Sequence, residues 1–539
     1  MLCDGCDKPF HTMCHVGCVC CNQKPKNSFN RKPAVPEGDW FCKFCAGHLP
    51  ALAEGAKPVS SVFAWGDNED GQLALPDKTD VKAVWTPTKV HDLDAIGVLK
   101  IACCETATIV LANDANLYSA GTGGVGQLGH QDMVHEKLTR FRKIETMTED
   151  KRSKGEGRFD QLVAGRDFVA AITTQGHVYT WGNGEFGQLG HQENKVKKTP
   201  KKISALREME IPVELATCGY DFTLFTSKES DDDSQFNTSK PGVFMSMGSN
   251  AQGQLGDGTG KNQWVPQLLN KDGSSRTSPA NVDIDDPQEF LLGRDLRILV
   301  AGKSHAAAVA AGTKSLWTWG YGEMGQLGHP KPAPQPGQSK FFRSQFRVPR
   351  PRFVQAFKNE MVAQVACGGQ HTLILLQDGR LFGMGDNTYG QIGVKLDAAA
   401  ESKAIESPVH IAHFDSNSNS DKILQIASGD EFSVALTGSG EVFSWGRGQY
   451  GQLGLGEKQV GPVDTPTKIP DLPKIQKIFT GPNQVFAIEF TNETLPAPVH
   501  TVKAPASSAA KKSPKAAAAG KRGAPAKGKS TTIAKKARK

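Results

Sequence analysis

The chain has 539 residues, with 63 Lys or Arg against 56 Asp or Glu, a net charge of +7 and an aromatic content of only 7%. No apolar stretch approaches the roughly 18 residues of a membrane-spanning helix, and Cys3, Asp4 and Cys6 stand where a secretion signal would have its apolar segment, so neither a membrane helix nor secretion is expected. The charge is divided: residues 503–539 hold twelve Lys or Arg and no acid, which leaves −5 on residues 1–502.

Eight of the twelve cysteines fall within residues 3–45. Residues 3–14 read C-D-G-C-D-K-P-F-H-T-M-C and residues 36–45 read P-E-G-D-W-F-C-K-F-C. Clustered C-x-x-C pairs with an interposed H-x-x-C have the spacing of zinc ligands in a reducing compartment, not of a disulfide framework. The two segments resemble a plant homeodomain (PHD) finger, a zinc module of chromatin readers. That resemblance implies two zincs held in cross-brace fashion. Carried onto this chain, it makes Cys3, Cys6, Cys42 and Cys45 one complete site, and His11 and Cys14 half of a second. The family's first cysteine pair would precede Met1, so either the sequence begins inside the finger or Cys18 and Cys21 substitute. Trp40 matches the family's structural tryptophan and is assigned to packing. Histone-tail reading is implied by the resemblance, with its modification specificity open. The expected boundaries are a finger over 1–49 and a linker over 50–60.

From residue 62 a repeat takes over. A strand ending in glycine is followed by four spacer residues and a G-Q-[LI]-[GA] core, as in Trp65-Gly66 before Gly71-Gln72-Leu73-Ala74. Six further copies have their core glycines at Gly126, Gly187, Gly253, Gly325, Gly390 and Gly451. Spacings of 55–72 residues suit one four-stranded sheet per repeat, so seven blades are expected. Ahead of each core lies a strand, a tight turn and a strand, with hairpin-forming pairs Gln175-Gly176, Asp378-Gly379 and Ser439-Gly440; each blade reads as a β-hairpin plus loops. The last hairpin signature, at residues 478–490, has no core after it, and Val62-Phe63-Ala64-Trp65 has a core with no hairpin before it. Residues 62–65 are therefore expected to complete the blade begun at 478, closing the ring and leaving no free sheet edge. The fold class is all-β, a seven-bladed propeller over 61–492 with a small N-terminal zinc finger and a disordered basic tail over 493–539.

These repeats resemble the regulator of chromosome condensation family. The resemblance covers about four fifths of the chain. Its members include the nucleotide exchange factor for the small nuclear GTPase Ran and many propellers without exchange activity, and fold does not choose between them. The exchange factor carries a wedge inserted after its third such turn, whereas Asn183-Gly184-Glu185-Phe186 here has the same length as the other six spacers. Asp167 and Asp221 match a position of GTPase contact in that family, though a carboxylate capping the turn at the head of a strand is the favoured reading. His305 and His371 recur at equal spacing and read as a repeated hydrogen bond. The glycines and leucines of the cores are assigned to turn geometry and to filling between blades, and Cys103, Cys104, Cys218 and Cys367 to buried apolar positions. No GxxxxGK[ST], GxSxG or HExxH occurs, and an enzyme with its own active site is not expected.

Two stretches interrupt the spacing. Residues 324–359 hold seven Lys or Arg and no acid, with phenylalanines interleaved around Arg343, Arg347, Arg350 and Arg352. The segment reads as a proline-rich loop, packed on the rim or contacting nucleic acid or a nucleosome. Lys228–Lys240 reads as a solvated hairpin loop. From Ala504 the chain is Lys, Ala, Pro, Gly and Ser, resembling linker-histone tails, and cannot bury a core. Lys511, Lys512, Lys535 and Lys536 lie in clusters suited to the DNA phosphate backbone or to nuclear import. The expectation is a nuclear, chromatin-associated binding protein that takes zinc, with a histone tail or nucleosome and DNA as partners, and a Ran-like GTPase as the alternative.

Overall fold

The computed structural model describes residues 60–490 except 95, 132–136, 148–154, 228–242, 270–295, 311–314, 332–345, 398–401 and 416–421. The described residues form twenty-eight strands in seven four-stranded sheets. β1 (Ser60–Asp67) and β2 (Ala83–Lys89) open the chain. The first blade then comprises β3 (Val98–Cys103), β4 (Ala107–Ala112), β5 (Leu117–Thr122) and β6 (Lys137–Lys143). The second holds β7 (Phe159–Ala164), β8 (Phe168–Thr173), β9 (Val178–Gly182) and β10 (Lys197–Lys202), and the third β11 (Val213–Cys218), β12 (Phe222–Ser227), β13 (Phe244–Gly248) and β14 (Gln263–Leu268). The fourth is β15 (Leu296–Ala301), β16 (His305–Ala310), β17 (Leu316–Tyr321) and β18 (Arg347–Phe353); the fifth is β19 (Val362–Cys367), β20 (His371–Leu376), β21 (Leu381–Asp386) and β22 (Ala404–His410). The sixth is β23 (Ile423–Ser428), β24 (Phe432–Thr437), β25 (Val442–Gly446) and β26 (Val463–Lys468), after which β27 (Ile475–Thr480) and β28 (Gln484–Phe490) end the series.

The seventh blade has the order β2-β1-β28-β27, with β1 and β28 paired antiparallel from Ser60↔Phe490 to Gly66↔Gln484. The closure expected for residues 62–65 is therefore present. Contacts between the first strands of successive blades run from β3 through β7, β11, β15, β19 and β23 to β27 and back to β3, so these strands surround one central channel.

The core lies mainly in the seams between blades. Buried Trp65, Trp181, Trp319 and Trp445 donate their indole N–H to the carbonyls of Gln452, Gln127, Gln254 and Gln391 in the preceding blade, at 2.9–3.1 Å. Each core glutamine also closes its own turn: its side-chain carbonyl accepts the backbone N–H two residues earlier in all seven repeats. The core leucines and Ile392 are almost completely buried. His305 and His371 make the repeated bond expected of them, through Nε2 to Thr372 Oγ1 at 3.0 Å and to Ser433 Oγ at 2.9 Å in the next blade. Cys103, Cys104 and Cys218 are buried and Cys367 nearly so, and burial pushes the Cys103, Cys218 and Cys367 thiols up to about 12.

Three expectations need correction. A blade is not a hairpin plus loops, because a fourth strand follows every core. Ring closure does not remove the sheet edges either: β2, β6, β10, β14, β18, β22 and β26 are each the outer edge of a separate sheet. Proline in six of these strands, as Pro87, Pro200, Pro266, Pro351, Pro408 and Pro466, leaves gaps in the exposed donor row that blunt further pairing. Finally, residues 347–353 are not loop but the edge strand β18, paired with β17 through Trp317↔Phe353 and Gly320↔Val348. Among the described residues no helix is long and apolar enough to cross a membrane.

Candidate protein-docking face

In each blade the turn between the first two strands and the turn after the third lie on one face of the ring. The link is a backbone bond repeated seven times: Asp67, Thr122, Asn183, Ser249, Tyr321, Asp386 and Arg447 donate N–H to the carbonyls of Asn483, Thr106, Asp167, Asp221, Ser304, Gln370 and Glu431. The glycine preceding each donor is required by that approach. At Gly182, with φ +103, an added Cβ would stand 2.4 Å from the Asp167 carbonyl oxygen.

The same turns are tied from blade to blade. Glu105 donates its N–H to Arg166 O, Arg166 to Tyr220 O, Tyr220 to Lys303 O, Lys303 to Gly368 O, Gly369 to Asp430 O and Asp430 to Pro482 O. This chain of bonds fixes the side chains of these turns around the channel mouth. Arg166 reaches Asp167 at 3.0 Å and Asp221 of the next blade at 3.3 Å. The Tyr220 ring packs against the Lys303 ammonium, 4.5 Å from its centroid, and its hydroxyl donates to the Asp430 carboxylate of the sixth blade. Farther round, Arg447 pairs with Glu431 and packs over the rings of Tyr389 and Tyr450, at 5.0 and 5.3 Å.

Acids outnumber bases on this face. Asp67, Glu69, Asp70, Glu105, Asp167, Glu185, Asp221, Glu323, Asp430 and Glu431 are all at least partly exposed, against Arg166, Lys303 and Arg447 near the channel and Lys82, Lys137, Lys331 and Arg347 farther out. Crowding has a cost that the titration behaviour reflects. Burial pushes Asp430 up to about 6, and burial with neighbouring carboxylates raises Glu105; Asp221 is raised by burial despite Arg166. Partly exposed side chains just before the core glycines, Val125, Phe186, Met324, Tyr389 and Tyr450, add an apolar component. Acidic groups held on a rigid ring with aromatics between them suit a basic protein surface. They make no nucleophile and base pair.

Asp167 and Asp221 thus lie together on this face, but as partners of Arg166 and not as turn caps. Of the four arginines of the 343–352 stretch, the structure describes three, all on the edge strand β18, and Arg347 reaches the turn after β13 at the border of this face. Arg343 is outside the described residues; Arg347 and Arg352 are exposed on β18, Arg347 donating to Ala251 O at 2.6 Å, and Arg350 is partly buried beside Gly258. Cys3, Cys6, His11, Cys14, Cys18, Cys21, Cys42, Cys45, Lys511, Lys512, Lys535, Lys536 and the loop at 228–240 all lie outside the described residues, as does the tail. Two features escaped the sequence reading. One is the Tyr220 and Asp430 pair, 210 residues apart. The other is a basic rim on the edge strands KLTRFRK (β6) and KKTPKK (β10), legible as two acid-free runs a blade apart.

The regulator of chromosome condensation (RCC1) repeat profile matches residues 60–111, 175–226, 315–375, 378–436 and 439–488, and a second profile of the same description matches 159–188, 362–391 and 423–452. The ultraviolet-B receptor UVR8 of Arabidopsis thaliana is 28% identical over 415 residues, covering 76% of this chain and 78% of the receptor. The guanine nucleotide exchange factor SRM1 of Saccharomyces cerevisiae is 25% identical over 444 residues, covering 76% and 81%. Among solved structures, Prp20p from Saccharomyces cerevisiae, described together with its binding properties to Gsp1p and histones, superimposes with a TM-score of 0.61 at 22% identity, over 80% of this chain and 92% of that one. At that identity the likeness speaks to the fold.

Proposed function

This chain belongs to the regulator of chromosome condensation repeat family, and we propose that it is a nuclear, chromatin-associated scaffold whose acidic propeller face docks a basic protein, a histone or nucleosome surface first of all. The observation carrying this reading is the excess of carboxylates around the channel mouth, held by the blade-to-blade bonds from Glu105 to Pro482. Histone binding in the description of the similar Prp20p structure supports it. In the same proposal, residues 1–49 form a PHD-type finger that takes zinc through Cys3, Cys6, Cys42 and Cys45, with His11 and Cys14 toward a second ion and Cys18 and Cys21 as substitutes. The finger reads a histone or other peptide. The tail, with Lys511, Lys512, Lys535 and Lys536, binds DNA phosphates without sequence preference, aided by the basic rim of β6 and β10.

A second reading, exchange factor for a Ran-like GTPase, is favoured by the similarity to SRM1 across 76% of the chain. Against it stands the third spacer, 183–186, which is an uninterrupted turn closed by Gly187 N–H to Gly184 O at 3.1 Å. Release of a fluorescent guanine nucleotide from Ran, with and without the full chain, separates the two. The scaffold reading predicts no appreciable acceleration. Acceleration by orders of magnitude, lost in Asp167→Ala or Asp221→Ala, would replace it with the exchange factor.

A further inference from the structure

The far end of the channel, where the first strands begin, has a different chemistry. Every first strand carries a bulge at one register, which places Lys100, Gln161, Leu215, Ile298, Gln364, Gln425 and Lys477 at equivalent positions. The glutamines bridge to the next blade's main chain. Gln161 donates to Glu214 O; Gln364 donates to Leu424 O and accepts from Ile426 N–H; Gln425 donates to Ile478 O at 2.7 Å and accepts from Ile478 N–H at 3.0 Å. At the fourth blade Arg297, one residue earlier, donates to Val362 O.

Among the described residues the first-to-second, third-to-fourth and seventh-to-first seams have no such bridge, and the last brings two lysines together. There Lys477 and Lys100 stand on β27 and β3, which are in contact, Lys477 partly buried and Lys100 exposed. Lysine cannot accept a hydrogen bond, so it cannot reproduce the two-way bridge of Gln425. Among the described residues neither ammonium has a hydrogen-bond or ion-pair partner. Burial, with Lys100 adding repulsion, pushes Lys477 down to about 8. This seam, like the second-to-third and fourth-to-fifth, also lacks the tryptophan bond, since Ala120 occupies the tryptophan position in the first blade as Met247 and Met384 do in the third and fifth. The acids nearest in blade order on the first strands, Asp160 and Glu214, are exposed on the second and third blades and pair with neither lysine.

We propose that Lys100 and Lys477 form a binding site for a small oxyanion of the phosphate class, which bridges the seventh and first blades where three other seams use a glutamine. A tetrahedral anion accepts from both ammoniums at once, cancels their repulsion and adds a link across the seam besides the Gln484 bond to Cys104 O. The site takes no part in the docking face at the other end of the channel.

The test is thermal unfolding of the full chain in 20 mM inorganic phosphate against chloride at equal ionic strength and pH 7. For a millimolar dissociation constant the wild-type midpoint rises by about 2 °C. Lys477→Gln loses that increment, and in chloride it melts at or above wild type, because glutamine makes the Gln425-type bridge. Lys100→Gln loses most of the increment as well. An equal phosphate increment in wild type and Lys477→Gln, or none in wild type, overturns the site.

Discussion

The hydroxyl of Tyr220, in the third blade, donates to the carboxylate of Asp430, in the sixth, and so ties two distant blades across the channel mouth. The bond lowers the pKa of Asp430, yet burial outweighs it and leaves that carboxyl at about 6. A folded-state pKa above the unfolded value of about 3.8 means that the native protein holds this proton more tightly. Its contribution to stability therefore falls as pH rises from about 4 to 6. Asp430→Asn should remove that loss, raising stability at pH 7.5 by about 1–2 kcal/mol with little change at pH 4. Urea unfolding at the two pH values checks it. Tyr220→Phe should act oppositely at pH 7.5, since it removes the bond that favours the ionised carboxylate.

The buried histidines run the other way. Burial pushes His371 down to about 3 and His305 to about 4, below the ordinary 6.5, so unfolding takes up protons as pH falls through that window. Stability should drop from pH 6.5 toward 4. Gln484 occupies the equivalent position in the seventh blade, where its amide donates to Cys104 O at 2.7 Å. His371→Gln should therefore fold, and its loss of stability between pH 7.5 and 5 should be smaller than that of wild type. The Asp430 contribution is common to both proteins and cancels in the comparison.

Trp65 closes the ring twice over, on the strand that completes the seventh blade and through its indole bond to Gln452 in the sixth. Trp65→Ala should cost about 3–5 kcal/mol, as a buried tryptophan lost from a packed seam does. Denaturant unfolding followed by circular dichroism measures it. A cost under 1 kcal/mol would mean that closure does not depend on this seam.

Much of this architecture is legible in the sequence because seven repeats state it seven times. The cores, the hairpin turns, the bonds of His305 and His371 and the closure by residues 62–65 all follow from spacing. Four strands per blade follow from the 55–72-residue spacing, but where the fourth strand lies was not legible. Strands such as KLTRFRK and VDTPTK lie at exposed edges and bury few residues, so they lack the apolar alternation by which strands are read. The recurring proline, as in Thr199-Pro200 and Thr465-Pro466, was the available signal. The channel mouth was hidden for a different reason. Tyr220 and Asp430, or Lys477 and Lys100, meet only because the ring closes, and no local pattern records which turns face one another.

The cysteine cluster makes a separate prediction. The chain of residues 1–539 should carry one zinc at Cys3, Cys6, Cys42 and Cys45, and two if Cys18 and Cys21 complete the second set with His11 and Cys14. Native mass spectrometry counts the ions. Protein that carries no metal, with its finger still folded, would contradict the ligand assignment.

Deleting residues 503–539 should weaken binding to duplex DNA and flatten its dependence on salt, because twelve Lys or Arg are lost with no acid. Titrations at two ionic strengths read both effects. An unchanged slope would leave the tail as an import signal and move DNA contact to the basic rim.

The most direct test of the docking face is the affinity of the full chain for core histones, measured beside a variant with Asp167→Asn, Asp221→Asn and Glu431→Gln. Each change keeps shape and one accepting oxygen for Arg166 or Arg447 while removing a negative charge, and circular dichroism establishes that the variant is folded. The acidic-face account predicts at least tenfold weaker histone binding by the variant, with DNA binding through the tail unchanged. Equal histone affinity for the two proteins would contradict it.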